Sequence, residues 1–256
     1  MNTLFDMTDE LDIVEYTASS IEVKEGDLFQ LGRHRLLCGD CTIKENIDLL
    51  MNGKKADMVF TDPPYGISIV DKNGFVGGDN PFGQTKGKLY KCKKYKPIKN
   101  DDTIETAEKF YKLIKDCKKI ILFGGNYYLS FLPNGNWLIW DKLNSGNYAD
   151  GEMCWTNIKT NLKIYRYLWN GMIRCEKEKR VHPTQKPVSM LSEIINDFSN
   201  ENEIIFDGFL GSGSTLIVCE HTNRICYGME IEPHYCAVII ERWQKYTNKK
   251  AIKIKG

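Results

Sequence analysis

Glu203-Ile204-Ile205-Phe206-Asp207-Gly208-Phe209-Leu210-Gly211-Ser212-Gly213-Ser214-Thr215 is the stretch whose reading decides the fold. Its apolar opening reads as a strand, and the residues from Thr215 to Glu220 read as a helix. Between them the glycines let the backbone turn sharply and approach a ligand, while hydroxyls and helix-start N–H groups favour a carboxylate or phosphate. An anionic cofactor group therefore belongs here. A dinucleotide fingerprint would need a third glycine where Leu216 stands, and a P-loop would need Gly-Lys-Ser/Thr, so both competing cofactors lose ground. The next strand, from Arg224, ends in Glu230, about as far past the loop as the acid that holds ribose hydroxyls in such folds. Glu232, also at the strand end, is its rival.

Working outward, strands are expected over 28–31, 35–38, 56–61, 119–123, 137–141, 203–206 and 224–230. Helices are expected over 43–51, 103–115, 187–198, 215–220 and 233–245. Within the third helix Val188, Leu191, Ile194, Ile195 and Phe198 recur at helical spacing, and Pro187 suits a first-turn position. Strands alternating with helices imply an α/β fold, a doubly wound and mostly parallel sheet covered on both faces.

The second chemical feature is Asp62-Pro63-Pro64-Tyr65, at the end of the apolar run Met58-Val59-Phe60. Each proline lacks an N–H and fixes its own φ, so the ladder stops and the backbone leaves the sheet with carbonyl oxygens exposed. The Asp62 carboxylate and a free Pro63 carbonyl can take both hydrogens of a planar amine, localising its lone pair, while Tyr65 offers a ring on which an extruded base stacks. An ordinary turn after a strand is the plainer account of Asp-Pro-Pro by itself.

Together with this corner and the glycine loop, four further segments point to one family. They are Leu31-Gly32-Arg33-His34-Arg35-Leu36-Leu37-Cys38-Gly39-Asp40, Phe123-Gly124-Gly125-Asn126-Tyr127 with Trp137-Leu138-Ile139-Trp140-Asp141-Lys142, and His182-Pro183-Thr184-Gln185-Lys186-Pro187-Val188. The chain resembles an amino-group DNA methyltransferase of the permuted β class, in which the Asp-Pro-Pro-Tyr segment precedes the loop for S-adenosylmethionine (AdoMet). The resemblance runs from about Asp27 to Tyr246. It implies a Rossmann-like fold, with Asp207, Phe209, Gly211, Ser212, Gly213 and Ser214 as the cofactor loop and Lys186 near the methionine end. Asp40 and Cys41 would meet the adenine ring of AdoMet. Gly208 departs from the usual proline and Ser214 from the usual threonine. An aspartate heading the proline motif resembles adenine-N6 enzymes, whereas cytosine-N4 enzymes usually begin with serine. The implied reaction is methylation of adenine N6 in double-stranded DNA after base flipping, with Asp62, Pro63, Pro64 and Tyr65 at the amine. A cytosine-N4 or RNA-directed enzyme and a catalytically idle DNA-binding relative share the motifs.

With 256 residues and 42% hydrophobic content the chain can bury a substantial core. A single methyltransferase domain over 25–256 is expected, preceded by an acidic, loosely ordered tail over 1–24. The 35 basic residues nearly cancel the 34 acidic ones, so any footprint for nucleic acid has to come from their distribution. Seven lysines lie between Lys86 and Lys99, among them Lys88, Lys91, Lys93, Lys94 and Lys96, in a mobile glycine- and lysine-rich loop over 67–100. That block is either a solvated loop or a strap that neutralises DNA phosphates. Arg174, Lys177 and Arg180 fall in a target-recognition segment over 142–181, whose aromatic residues read mainly as a small core. So short a segment suggests a short target or a homodimer. A cognate restriction endonuclease is a further partner for such an enzyme.

Nine cysteines without a secretory signal or a bilayer-length apolar run argue for a reducing cytoplasm and no membrane role. Cys38-Gly39-Asp40-Cys41 has no second pair at zinc spacing, so no metal is expected.

Overall fold

The computed structural model describes residues 21–67, 75–76, 90–91, 101–143, 149–168 and 186–255. In chain order its strands are β1 (Leu28–Leu31), β2 (His34–Cys38), β3 (Met58–Thr61), β4 (Phe75–Val76), β5 (Tyr90–Lys91), β6 (Ile120–Phe123), β7 (Asn136–Asp141), β8 (Gly151–Thr156), β9 (Lys163–Arg166), β10 (Ile204–Asp207), β11 (Ile225–Glu230) and β12 (Ile252–Lys255). The helices are α1 (Lys44–Met51), α2 (Glu105–Ile114), α3 (Val188–Phe198), α4 (Ser214–His221) and α5 (Pro233–Thr247). Ten strands form one sheet in the order β12-β1-β2-β11-β10-β3-β6-β8-β7-β9, and β4 pairs with β5 in a separate ribbon.

The centre of the sheet, β2-β11-β10-β3-β6, is parallel throughout. Every residue of β3, β6 and β10 is buried. That is the signature of strands covered on both faces, and it explains their continuous rather than alternating apolar runs. Helix α4 is buried from Ser214 through Cys219 because it lies between α3 and β11.

The chain runs from β10 through α4 to β11 on one side, and from β3 through α2 to β6 on the other. The winding reverses between β10 and β3, which are adjacent and parallel with Ile205 opposite Met58 and Phe206 opposite Val59. Their carboxyl ends therefore share one edge, and the crevice outside such a reversal is where open α/β sheets bind ligands.

Two departures from the sequence reading bear on the site. Strands β8 and β9 fall inside the 142–181 recognition segment yet belong to the main sheet, with β8 antiparallel between β6 and β7. Cys154, Trp155 and Thr156 are all buried, so β8 is covered on both faces where it inserts and shows no alternation that would mark it. The tail also ends earlier than expected: Ile21 and Val23 pack against the core, and Asp27 takes the Lys24 N–H at 2.9 Å. Apolar residues at alternate positions fasten this end of the 1–24 segment, and residues 1–20 lie outside the described residues.

Candidate active site

Strand β10 delivers Asp207, 3% exposed, to the shared edge. Its Oδ1 accepts the Thr61 hydroxyl at 2.6 Å and the Phe209 N–H at 3.0 Å. Thr61 closes β3, so one carboxylate ties the glycine loop to the strand that carries Asp62. Burial pushes the Asp207 pKa up to about 6, against the hydrogen bonds from Thr61, Phe209 and Thr215. Gly211 and Gly213 take φ of 53° and 84° as the chain turns into α4. Buried Arg242 donates to the Ser212 carbonyl at 2.6 Å, and the Ser212 and Ser214 hydroxyls lie 3.4 Å apart. No side chain caps α4, so its first-turn N–H groups keep their capacity for an anionic ligand. A Cβ at Gly208 would lie 2.6 Å from the Phe110 ring and 3.3 Å from Cys41. Phe110 of α2 fills the space a proline ring would need, which accounts for glycine here.

Glu230 lies beside the loop, 7% exposed, its Oε2 accepting the Gly211 N–H at 2.8 Å and its Oε1 the Glu232 N–H at 2.9 Å. Burial raises its pKa to about 7. Each oxygen keeps acceptor capacity for a hydroxyl donor. The rival Glu232 is the N-cap residue of α5. Asp40 and Cys41 follow β2 on the same edge, where the Gly39 N–H meets the Glu230 carbonyl at 2.9 Å. Asp40 Oδ1 accepts the Thr42 N–H at 2.7 Å and its hydroxyl at 2.8 Å. Burial pushes the Cys41 thiol well up, so it is a neutral, inert wall. A polar cleft of about 320 Å³ opens beside Asp40, with Thr42, Asp102, Thr103 and Lys109 in its lining.

Side chains from four elements meet at Asp62. Its Oδ1 accepts the Tyr65 hydroxyl at 2.6 Å and its Oδ2 is ion-paired with the Lys186 ammonium. Lys186 also lies 3.5 Å from Glu152 Oε2 and 4.6 Å from the centre of the Phe123 ring. The other Glu152 oxygen pairs with Lys142 at 2.7 Å. Burial raises the Asp62 pKa although Lys186 opposes it. Burial works against the Lys186 charge as well, but Asp62 and Glu152 outweigh it and keep the amine protonated. Burial also opposes the Glu152 charge, and Lys186 and Lys142 overcome it and hold the pKa low.

The Pro63 carbonyl, read from sequence as a free acceptor, has a partner. The buried Tyr128 hydroxyl donates to Pro63 O at 2.8 Å and lies 3.0 Å from Pro64 O. A carbonyl oxygen carries two lone pairs, so Pro63 keeps one for a second donor. Tyr65 fits because residue 124 is glycine: a Cβ there would lie 2.3 Å from its ring. Tyr127, 41% exposed, stacks on Tyr65 with ring centres 5.0 Å apart and planes at 14°. Lys186, expected by the methionine end of a cofactor, is thus placed on Asp62.

Sequence reasoning missed Glu152, Tyr128 and Tyr127 as site residues. The last two sit in and just after the Gly-Gly turn of a quoted motif, and Lys142 closes another; Glu152 carries no local signal, because only the pairing of β8 brings it to Asp62. Of the expected DNA contacts, Lys91 is described only as backbone in β5. Lys88, Lys93, Lys94, Lys96, Arg174, Lys177 and Arg180 lie outside the described residues.

A family model for N6 and N4 enzymes, described as DNA methylase, matches residues 140–241. The chain is 27% identical over 255 residues to Type II methyltransferase M.HpaI of Haemophilus parainfluenzae, covering 84% of this chain and 75% of that one. The chain is thus similar to DNA methyltransferases, over 140–241 by the family model and over most of its length by this relative. Two solved structures share the methyltransferase fold: the M1.HpyAVI–SAM complex, with TM-score 0.52, 23% identity and coverage of 81% of this chain and 98% of that one, and PvuII DNA methyltransferase (cytosine-N4-specific), with TM-score 0.54, 14% identity and coverage of 86% and 92%. Among the described residues no group of three or more His, Cys, Asp or Glu side chains is arranged to hold a metal, and no helix is long and apolar enough to cross a membrane. The seven described cysteines are free thiols.

Proposed function

We propose that the protein methylates the exocyclic N6 amine of adenine within a specific site in double-stranded DNA, using AdoMet. The observation that carries this reading is the Thr61–Asp207 hydrogen bond at 2.6 Å, which brings the glycine loop and the Asp62 corner to one edge of the sheet. The loop fits AdoMet: Glu230 is a buried acceptor for ribose hydroxyls, the cleft beside Asp40 has room for a flat ring, and the uncapped start of α4 with Ser212 and Ser214 suits a carboxylate. Asp207, Phe209, Gly211 and Gly213 shape that loop. When bound, AdoMet supplies an electrophilic methyl group on a sulfonium.

The amine is buried in a stacked duplex, so the target nucleotide flips out at a cost on the order of a few kcal/mol. Tyr65 and Tyr127 give it an aromatic surface. Asp62 and the remaining lone pair of the Pro63 carbonyl take the two amine hydrogens, which aims the nitrogen lone pair at the methyl donor, and Pro64 keeps this backbone out of the ladder. Lys186 leans from Asp62 towards Glu152 as the amine arrives. Alignment and electrostatics lower the barrier without a covalent enzyme intermediate. The lysines of 67–100, with Arg174, Lys177 and Arg180, neutralise phosphates. Recognition then falls to the part of 142–181 outside β8 and β9, and its shortness favours a compact target or a homodimer. Work beside a cognate restriction endonuclease in a reducing cytoplasm fits the free thiols.

Mass spectrometry of nucleosides from duplex DNA incubated with the protein and methyl-labelled AdoMet tests this. Labelled N6-methyladenine is expected. Labelled N4-methylcytosine, or label on RNA alone, contradicts it.

A further inference from the structure

Glu152 Oε2 lies 3.5 Å from the Lys186 ammonium nitrogen and 3.5 Å from the Tyr65 hydroxyl oxygen. Each of these two groups also holds one oxygen of Asp62. Two separate proton-carrying groups therefore bridge the same pair of carboxylates and converge on a single oxygen. Independent pairs, Asp62 with Lys186 and Glu152 with Lys142, would satisfy the buried charges without this convergence. The Glu152 and Asp62 side chains are each 22% exposed and that of Lys186 8%, and a base held against Asp62 covers that carboxylate while Glu152 lies behind it. Its neighbours are Lys142 after β7, Lys186 before α3, Asp62 and Tyr65 after β3, and Cys154 on its own strand.

We propose that Glu152 is the outlet for the proton released by the methylated nitrogen, reached from Asp62 through Lys186 or Tyr65. The inference rests on the amine-methylation reading above. Transfer forms a C–N bond as the C–S bond breaks and leaves the nitrogen positively charged. An N–H bond then breaks, its electron pair stays on nitrogen, and the proton goes to Asp62. Lys186 gives one of its protons to Glu152 Oε2 and takes the proton from Asp62; the Tyr65 hydroxyl can make the same exchange. Glu152 passes the proton to water, and every group of the chain ends as it began. The 3.5 Å separations are long for hydrogen bonds, and a shortening of about 0.5 Å brings them into range. Glu152 touches neither base nor cofactor in this scheme, so it is a positioning and relay residue.

The test is Glu152→Gln, which keeps the shape but not the basicity. Multiple-turnover methylation of duplex DNA, measured from pH 6 to 9, should slow by about 10- to 100-fold as Asp62 fails to reset, lose the wild-type pH profile, and recover in part with imidazole or formate in the buffer, while the first methyl transfer in a single turnover stays near the wild-type rate. AdoMet affinity by calorimetry, and flipping of 2-aminopurine at the target position in cofactor-free protein, should stay as in wild type. Glu152→Asp should retain most of the rate. Wild-type multiple-turnover rate and pH profile in Glu152→Gln overturn the outlet, as does a slow variant that no buffer rescues and whose Tm has dropped. Should the wild type itself methylate no DNA amine, the amine-methylation reading fails and the outlet falls with it.

Discussion

Asp207 ends β10 and Asp62 follows its parallel neighbour β3, and the two are held in opposite ways. Asp207 is surrounded by neutral donors, the Thr61 hydroxyl and the Phe209 N–H, and burial carries its pKa up to about 6. Asp62 sits on a buried ammonium, with a second carboxylate and a second lysine behind it. The first site is centred on consecutive backbone, Asp207 to Ser214, with Thr61, Glu230 and Arg242 tied to it from other elements. The second is assembled from the ends of β3 and β7, the start of β8 and the entry to α3, and depends on the whole right-hand half of the sheet. Neutral, local construction suits holding a cofactor in one pose; a chain of alternating charges suits a site where charge appears and a proton has to leave.

If this division is right, the two aspartates fail differently. Asp62→Ala should reduce methyl transfer by at least about 10³-fold, comparable to or beyond the loss of one electrostatic contact in other active sites, while calorimetry finds AdoMet binding nearly as in wild type. Near-normal turnover in this variant would erase the distinction from the Asp62 side. Asp207→Ala should weaken AdoMet binding by roughly 10- to 100-fold, equivalent to about 1.4–2.7 kcal/mol, with the residual rate at saturating cofactor reduced far less. Unchanged affinity would mean that the loop does not hold the cofactor.

The smallest effect sharpens the electrostatic half of the comparison. Glu230 has its folded pKa raised from 4.5 to about 7 by burial, so the folded state keeps a proton that the unfolded chain has released. The stability this contributes is fully present below about pH 4.5 and is lost as pH rises through about 7, where it levels off. Urea unfolding at pH 5 and pH 8 should therefore show the wild type losing on the order of 1–3 kcal/mol more than Glu230→Gln over that interval. Glu152 and Glu220, whose pKa values are lowered, are ionised in both states across this window and do not contribute. Parallel behaviour of the two proteins would show that Glu230 is not desolvated as described.

How far the sequence could be read follows the same division. The glycine loop and the strand before it are contiguous, so Asp207, Gly211 and Gly213 announced themselves, as did the parallel strands whose apolar runs are bounded by turns. Helices α2, α3 and α5 carried their apolar stripes openly. Asp62 was legible because two prolines follow it, but its surroundings were not. Tyr128 reaches Pro63 from 65 residues away and Lys186 reaches Asp62 from 124, distances that no local pattern encodes. Strand β8 escaped because its buried end reads Cys-Trp-Thr without alternation, and Glu152 escaped with it. The expected freedom of the Pro63 carbonyl failed for the same reason: proline removes a ladder partner, and a distant tyrosine supplied another.

The claim beneath all of this is that the glycine loop and the Asp-Pro-Pro-Tyr corner open into one reaction crevice. A crystal structure of the protein with AdoMet tests it most directly. The account predicts the cofactor on the Asp207 loop with its ribose on Glu230 and its methyl carbon within about 6 Å of an Asp62 oxygen, the span of one attack distance and one hydrogen bond. A methyl group directed away from Asp62, or a cofactor seated on another edge of the sheet, would contradict it.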